Sequence, residues 1–168
     1  VIYGDYDVDG VTSVSILYLY LQKLGANVSY YIPCRSREGY GMSTDAVQSI
    51  AADGVKLIVT VDTGITAIEE IEAARQLGCD VIVTDHHECR EVLPEAIAVI
   101  NPRRADSKYP FCDLAGVGVV FKLMCALEAK LRTGGDMIAA TTNIKNEYIE
   151  LAAIGTIADV MPLCDENR

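Results

Sequence analysis

Short runs of Val, Ile and Leu alternate along this chain with stretches in which apolar residues return at helical spacing. Residues 1–3 read as the end of a strand, and residues 11–24 as a helix closed by Gly25. A second strand over 28–32 is stopped by Pro33, and a short helix over 43–52 opens on a Ser or Thr cap. Residues 55–61 form a clear buried strand, followed by a helix over 66–77 that ends at Gly78. Further strands are predicted over 81–84 and over 96–100, the latter ended by Asn101-Pro102. The second half is helical, over 113–132 and 146–158, with a break at Gly134-Gly135. Continuous Val/Ile strands separated by helices predict an α/β fold: a parallel β-sheet with helices on both faces and a helical C-terminal part.

At 168 residues the chain is the size of one domain with a full core, and 51% hydrophobic with 23% charged residues is globular composition. No apolar run reaches the roughly 18 residues needed to span a bilayer, so no membrane association is expected. Absence of an initiator Met and a start in mid-strand suit a piece of a longer protein, here one domain over residues 1–168. A net charge of −10 repels phosphate backbones at long range, which disfavours simple groove binding to nucleic acid unless bound cations reverse the local sign. Six cysteines without a C-x-x-C pair exclude a zinc ribbon, and most read as reduced core residues of a cytoplasmic protein.

Candidate chemistry falls just after the strands, where an open parallel sheet forms its ligand crevice. Gly4-Asp5-Tyr6-Asp7-Val8-Asp9-Gly10 follows the first strand, Asp62-Thr63-Gly64 the third and Asp85-His86-His87 the fourth. Asp5, Asp7 and Asp9 lie in a D-x-D-x-D-G pattern, but an EF-hand needs a Glu at its twelfth position, which here is Ile16, and a preceding helix. Helix capping accounts for one Asp, or two, of that run. Three on a tight turn repel one another without a cation. Asp62 taken singly also fits a helix N-cap. His86 and His87 are the only two histidines of the chain, and a mixed Asp/His rim suits a two-metal site that clamps a phosphate. Gly116-Val-Gly118 lacks the third Gly of a dinucleotide fingerprint and is read as allowing close helix packing.

The order Asp-x-Asp, single strand-end Asp, Asp-His-His and late Asp resembles that of the DHH phosphoesterases, whose name is the triplet Asp85-His86-His87. The late Asp is Asp159, in Gly155-Thr-Ile-Ala-Asp159-Val-Met-Pro162-Leu. By itself it would be a carboxylate at the unfavourable carboxyl end of a helix. The resemblance implies Asp7, Asp9, Asp62, His86 and Asp159 as metal ligands, with Asp62 bridging. Asp5 is a further candidate ligand, standing in for a His that several branches carry at the position of Tyr3. His87 would contact the scissile phosphate, and His87, Asp62 and Asp85 make up the expected catalytic set. Gly4–Gly10, Glu38-Gly-Tyr-Gly41, Asn101-Pro-Arg-Arg104 and Leu114-Ala-Gly-Val-Gly118 are most similar to the single-strand-specific exonucleases of that family.

The resemblance therefore implies a hydrolase that uses two divalent ions, Mn2+ or Mg2+. It would release nucleotides from single-stranded DNA in repair and recombination, in the cytoplasm. Arg35, Arg37, Arg103 and Arg104 are candidate phosphate contacts, although each singly also fits solvated surface charge, and Tyr40 could stack on a base. Such enzymes carry a second, substrate-binding domain with a Gly-Gly-His motif, which Gly134-Gly135-Asp136 is not. Two alternatives stay open: a phosphodiesterase or phosphatase for oligonucleotides, cyclic dinucleotides or polyphosphate, and a non-catalytic replication scaffold.

Overall fold

The computed structural model describes every residue except Arg37 and Glu38, so the expectation for Arg37 lies outside the described residues. Five parallel strands, β1 (Ile2–Tyr3), β2 (Tyr30–Tyr31), β3 (Leu57–Val61), β4 (Asp80–Thr84) and β5 (Ala98–Ile100), form one sheet in the order β2-β1-β3-β4-β5. Among the described residues six α-helices accompany it: α1 (Val8–Lys23), α2 (Thr44–Ala52), α3 (Ile68–Gln76), α4 (Gly116–Thr133), α5 (Met137–Thr141) and α6 (Ile144–Ala158). The fold class is the one that the hydrophobic pattern predicts.

Alternate strand residues supply two cores, because successive side chains of a strand point to opposite faces. On one face Ile2 and Val61 pack with α1, α4 and α6 through Ile16, Leu17, Val117, Val120, Met124 and Ala152. On the other Tyr3, Ile58, Val81 and Val83 pack with α2 and α3 through Val47, Ile50, Ile71 and Ala74. Tyr3 is fully buried and its hydroxyl donates to the Gly41 carbonyl at 3.3 Å. Register then aligns the carboxyl ends: Tyr3 pairs with Thr60, and Thr84 with both Val61 and Ile100. Residues 4–9, 62–64, 85–87 and 101–104 consequently emerge along one edge, on either side of the point where strand order reverses between β1 and β3.

Several local expectations need correction. Helix α1 begins at Val8 rather than residue 11, because Asp7 caps it by accepting from the Gly10 N–H at 2.9 Å. The expected Asp5–Asp9 turn therefore ends inside a helix. Strands β2 and β5 are shorter than predicted, since their flanking residues make no ladder pairs. The break at Gly134-Gly135 holds a further short helix, α5, capped by Asp136. Of the cysteines only Cys79 is buried; Cys34, Cys112 and Cys164 are exposed, and none of the six is in a disulfide. Apolar neighbours in sequence gave no information on which helix face Cys112 or Cys164 would meet.

Gly10 lets α1 start this close to β1. A Cβ there would lie 2.5 Å from the Asp5 carbonyl oxygen and 2.8 Å from the Asp5 Cα, both backbone atoms that no rotamer change can move. Gly10→Ala is expected to lower stability by about 1–3 kcal/mol, the usual scale of core overpacking, read as a shift of the urea midpoint. An unchanged midpoint would show that the β1–α1 connection moves without cost.

Candidate metal centre

Each acidic side chain on this edge is held by a different local device. Asp7 is the N-cap of α1. Asp9, two residues into that helix, points across to α4: its Oδ2 accepts from the Gly116 N–H at 2.7 Å and its Oδ1 from the Val117 N–H at 2.8 Å. Asp62 leaves β3 with φ 59°, a left-handed conformation that costs a non-glycine residue on the order of 1–3 kcal/mol and concentrates at functional sites. It is no helix cap, because the N-cap position of α3 is Ala67. Asp159 is the C-cap of α6, and the chain turns away behind it with Val160 at φ 57° and Met161 N–H donating to the Thr156 carbonyl.

These devices bring carboxylates from three segments around one imidazole. The His86 Nε2 lies 3.2 Å from Asp62 Oδ1, 3.6 Å from Asp159 Oδ2 and 3.8 Å from Asp9 Oδ2. Neither Nε2 of His86 nor Oδ1 of Asp62 has a hydrogen-bond partner, although both are buried; their short approach is not aligned as a hydrogen bond. Ligand atoms of Asp9, His86 and Asp159 fall within 4.8 Å of one another, as do those of Asp5, Asp7 and Asp62, and those of Asp62, His86 and His87. Two orphaned buried donor atoms amid converging carboxylates fit a divalent cation. Oxygen plus imidazole donors suit a first-row transition ion better than an all-oxygen site would.

Electrostatics point the same way. Burial pushes the Asp62 carboxyl up to about 10, with the Asp9 and Asp7 charges adding to it. Burial also raises Asp5 and Asp9, partly offset at Asp5 by the Tyr6 amide and at Asp9 by the Val117 amide, His86 and the Gly116 amide. A cation would remove the penalty by favouring the ionised forms.

Beside the cluster, His87 is clamped at both ring nitrogens. Its Nδ1 lies 2.7 Å from Asp85 Oδ1 and its Nε2 3.0 Å from the Tyr40 hydroxyl. The Asp85 hydrogen bond holds His87 up at about 9 against the opposing effect of burial, so near neutral pH the ring is a cation with both N–H groups donating. Asp85 also accepts from the amides of His86, His87 and Ile65, and these with the His87 charge outweigh its burial and keep its pKa low. Both of its oxygens are therefore engaged within the chain, Oδ1 by three donors and Oδ2 by one.

The outer residues divide. Tyr40 stands edge-on to Tyr6 at 6.4 Å, and the Arg35 guanidinium lies 5.4 Å over the Tyr6 ring, so both border the His87 side of the edge. Arg103 instead pairs with Glu88 and Asp113, and Arg104 pairs with Asp106 while covering the Val99 carbonyl. Asn101 was legible only as a strand-ending turn. In the fold it is buried, donates to the His87 carbonyl at 2.9 Å and accepts from the Arg103 amide, so it braces the triplet. An Asn directly ahead of Pro at a strand end is a weak signal for such a brace. The Ile65 amide has no signal at all.

Without a cation, stability should fall as pH rises. Asp62 keeps its proton in the folded chain up to about 10 but loses it near 3.9 when unfolded, and His87 stabilisation, complete below about 6.5, is lost through about 9. The folded state thus holds more protons across pH 6.5–9, and unfolding free energy must decline over that window. Urea unfolding in chelator should show this decline, and Asp62→Asn should flatten it to the His87 contribution. A profile that is level or rising would refute the assignment of those two groups.

The family model described as "DHH family, N-terminal domain" matches residues 1–156. Among curated proteins, the single-stranded-DNA-specific exonuclease RecJ of Bacillus subtilis (strain 168) is 52% identical over 99% of this chain and 20% of its own length. RecJ of Escherichia coli (strain K12) is 46% identical over the whole chain and 30% of its own length. Among solved structures, an exonuclease RecJ bound to manganese superposes with a TM-score of 0.85 at 38% identity, over 99% of this chain and 40% of that one. RecJ from Thermus thermophilus in complex with Mn2+ gives 0.79 at 36% identity, over 99% of this chain and 22% of that one. The chain spans only 20% and 30% of the length of those two curated relatives. With the Asp85-His86-His87 triplet set among the clustered carboxylates and the family model matching residues 1–156, the chain belongs to the DHH family as an N-terminal domain.

Proposed function

We propose that this chain is the metal-holding part of a manganese-dependent exonuclease that hydrolyses phosphodiester bonds from an end of single-stranded DNA, in repair and recombination. The observation that carries this reading is the convergence of Asp9, Asp62 and Asp159 on the unpartnered His86 Nε2 at the sheet edge. Support comes from the curated relatives, named as single-stranded-DNA-specific exonucleases, and from the similar RecJ structures, which were solved with manganese. Asp9, His86 and Asp159 would hold one ion, Asp5 and Asp7 the other, and Asp62 would lie between them. Such a pair of ions supplies Lewis-acid polarisation of the phosphoryl group and offsets charge gathering on its oxygens.

The chain's own residues orient the rest. His87, cationic and half-exposed, would donate from Nε2 to a phosphate oxygen, a bond that would replace the one to Tyr40. Asp85 keeps the ring in register for that donation. Arg35, stacked on Tyr6, is the cation best placed to meet a neighbouring phosphate, and Tyr40 offers a ring face beside it. Arg103 and Arg104 already have acidic partners, and the net charge is −10, so tracking of a strand falls to the remainder of the full-length protein. Six cysteines, none of them in a disulfide, suit a reducing compartment, the cytoplasm. The acidic surface also favours a second reading, hydrolysis of short oligonucleotides.

The full-length protein with manganese should degrade long single strands faster than duplex or di- and trinucleotides, and Asp62→Asn should lose on the order of 10²-fold or more. Preference for di- or trinucleotides would establish the second reading, and an active Asp62→Asn would remove the metal assignment. The chain alone, lacking strand-positioning groups, should turn over single-stranded DNA about 10²-fold more slowly than the full-length protein. Equal rates would mean that it carries its own DNA groove.

A further inference from the structure

Helix α4 begins without any cap of its own. Its N-cap residue, Ala115, has no side-chain acceptor for the first amides, and its first turn holds no acidic residue. Those amides are satisfied by Asp9 from α1, whose two oxygens take the Gly116 and Val117 N–H groups in a buried, nearly symmetrical pair of bonds. The positive end of α4 thereby faces the carboxylate cluster, where it offsets part of the repulsion.

Close approach of this helix end is possible only because Gly116 has no side chain. A Cβ there would stand 2.5 Å from Asp62 Oδ1, 2.6 Å from Asp62 Cβ and 2.7 Å from Asp62 Cγ. Asp62 cannot readily retreat, since its left-handed backbone is fixed between β3 and the Asp85-bound loop at Ile65. From the opposite side α6 closes on Asp9 through Gly155, where a Cβ would meet Thr12 Oγ1 at 2.4 Å, Val117 Cγ1 at 2.8 Å and Asp9 Oδ1 at 3.0 Å. Four residues further along α6 stands Asp159. Gly118, one half-turn beyond Gly116, differs: the three atoms nearest a Cβ there would all belong to the Leu114 side chain, at 3.3 Å or more.

We infer that the amino end of α4 is a positioning element of the metal centre, with the Gly116 and Val117 amides fixing Asp9 and the bare Gly116 leaving Asp62 its place, so that cation loading and seating of α4 are coupled. This inference rests on the metal reading given above. Asp9 is shared between α4 and the His86 cluster, so a cation that holds its carboxylate also holds the partner of the α4 amides. Linkage then makes the effect reciprocal: whatever displaces the helix end weakens the cation, and the cation tightens the helix end.

Manganese titration calorimetry on the full chain, with hydrogen exchange of individual α4 amides, tests this. Gly116→Ala should bind manganese at least tenfold more weakly, the scale of a lost ligand-orienting contact, while far-ultraviolet circular dichroism shows its helices retained. Gly118→Ala, with the same change in helix propensity, should stay within about twofold of the unaltered chain. In the unaltered chain, manganese should slow exchange of the Gly116 and Val117 amides at least tenfold relative to amides in the middle of α4. Equal manganese affinity in Gly116→Ala, or amide exchange indifferent to manganese, overturns the coupling; the exchange measurement decides alone if Gly116→Ala fails to fold. No manganese binding by the unaltered chain overturns the metal reading and the coupling with it.

Discussion

Repulsion among buried carboxylates is the constraint that the rest of this molecule accommodates. Asp5, Asp9, Asp62 and Asp85 are each no more than 2% exposed, and all lie along the carboxyl ends of three adjacent strands. Isolated, each would be driven to take up a proton, because low-dielectric surroundings disfavour the charged form. The fold answers each charge differently. Asp85 is neutralised by His87 and three amides, Asp9 by the amino end of α4, and Asp5 by a single amide. Asp62 alone keeps a buried oxygen without a partner, which makes it the natural seat for an added positive charge.

Backbone strain follows from that arrangement. Asp62 and Val160 both sit in the left-handed region, one delivering a carboxylate to the edge and the other turning the chain behind Asp159. A β-branched residue such as Val160 is poorly suited to this conformation, and its side chain is almost wholly exposed, so packing does not explain it. What holds it is the paired hydrogen bonding of the α6 end, Val160 N–H to the Ile157 carbonyl and Met161 N–H to the Thr156 carbonyl. Strain here, close packing at Gly116 and Gly155, and electrostatic excess at Asp62 all converge on the same few ångströms. The opposite end of the sheet carries none of these features among the described residues.

Positive charge is kept out of the centre and used around it. Arg103 bridges Glu88 and Asp113 while its own amide is bound by Asn101, which ties the segment after β5 to the segment after β4. Arg104 covers the Val99 carbonyl on the edge strand, blunting a row of groups that could otherwise pair with another chain. In the sequence both are candidate phosphate contacts from the bidentate geometry of a guanidinium, and solvated surface charge fits each one equally. Sequence distance from the triplet carries no information on acidic partners such as Asp106 and Asp113, which decide where a guanidinium points.

The hydrophobic pattern by itself determined the sheet, its parallel sense and the helices on both faces, because strand and helix periods are local properties of consecutive residues. It also placed the acidic clusters at strand ends, and the motif order identified the family. Tertiary structure decided what each carboxylate does. Asp9 became a helix residue that caps another helix more than a hundred positions away, and Asp85 became the partner of His87 rather than a free base. Gly116 was read as a packing glycine, but only the fold shows that what it packs against is Asp62. These assignments depend on contacts between segments far apart in the chain, set by register and helix packing, and no local period encodes them.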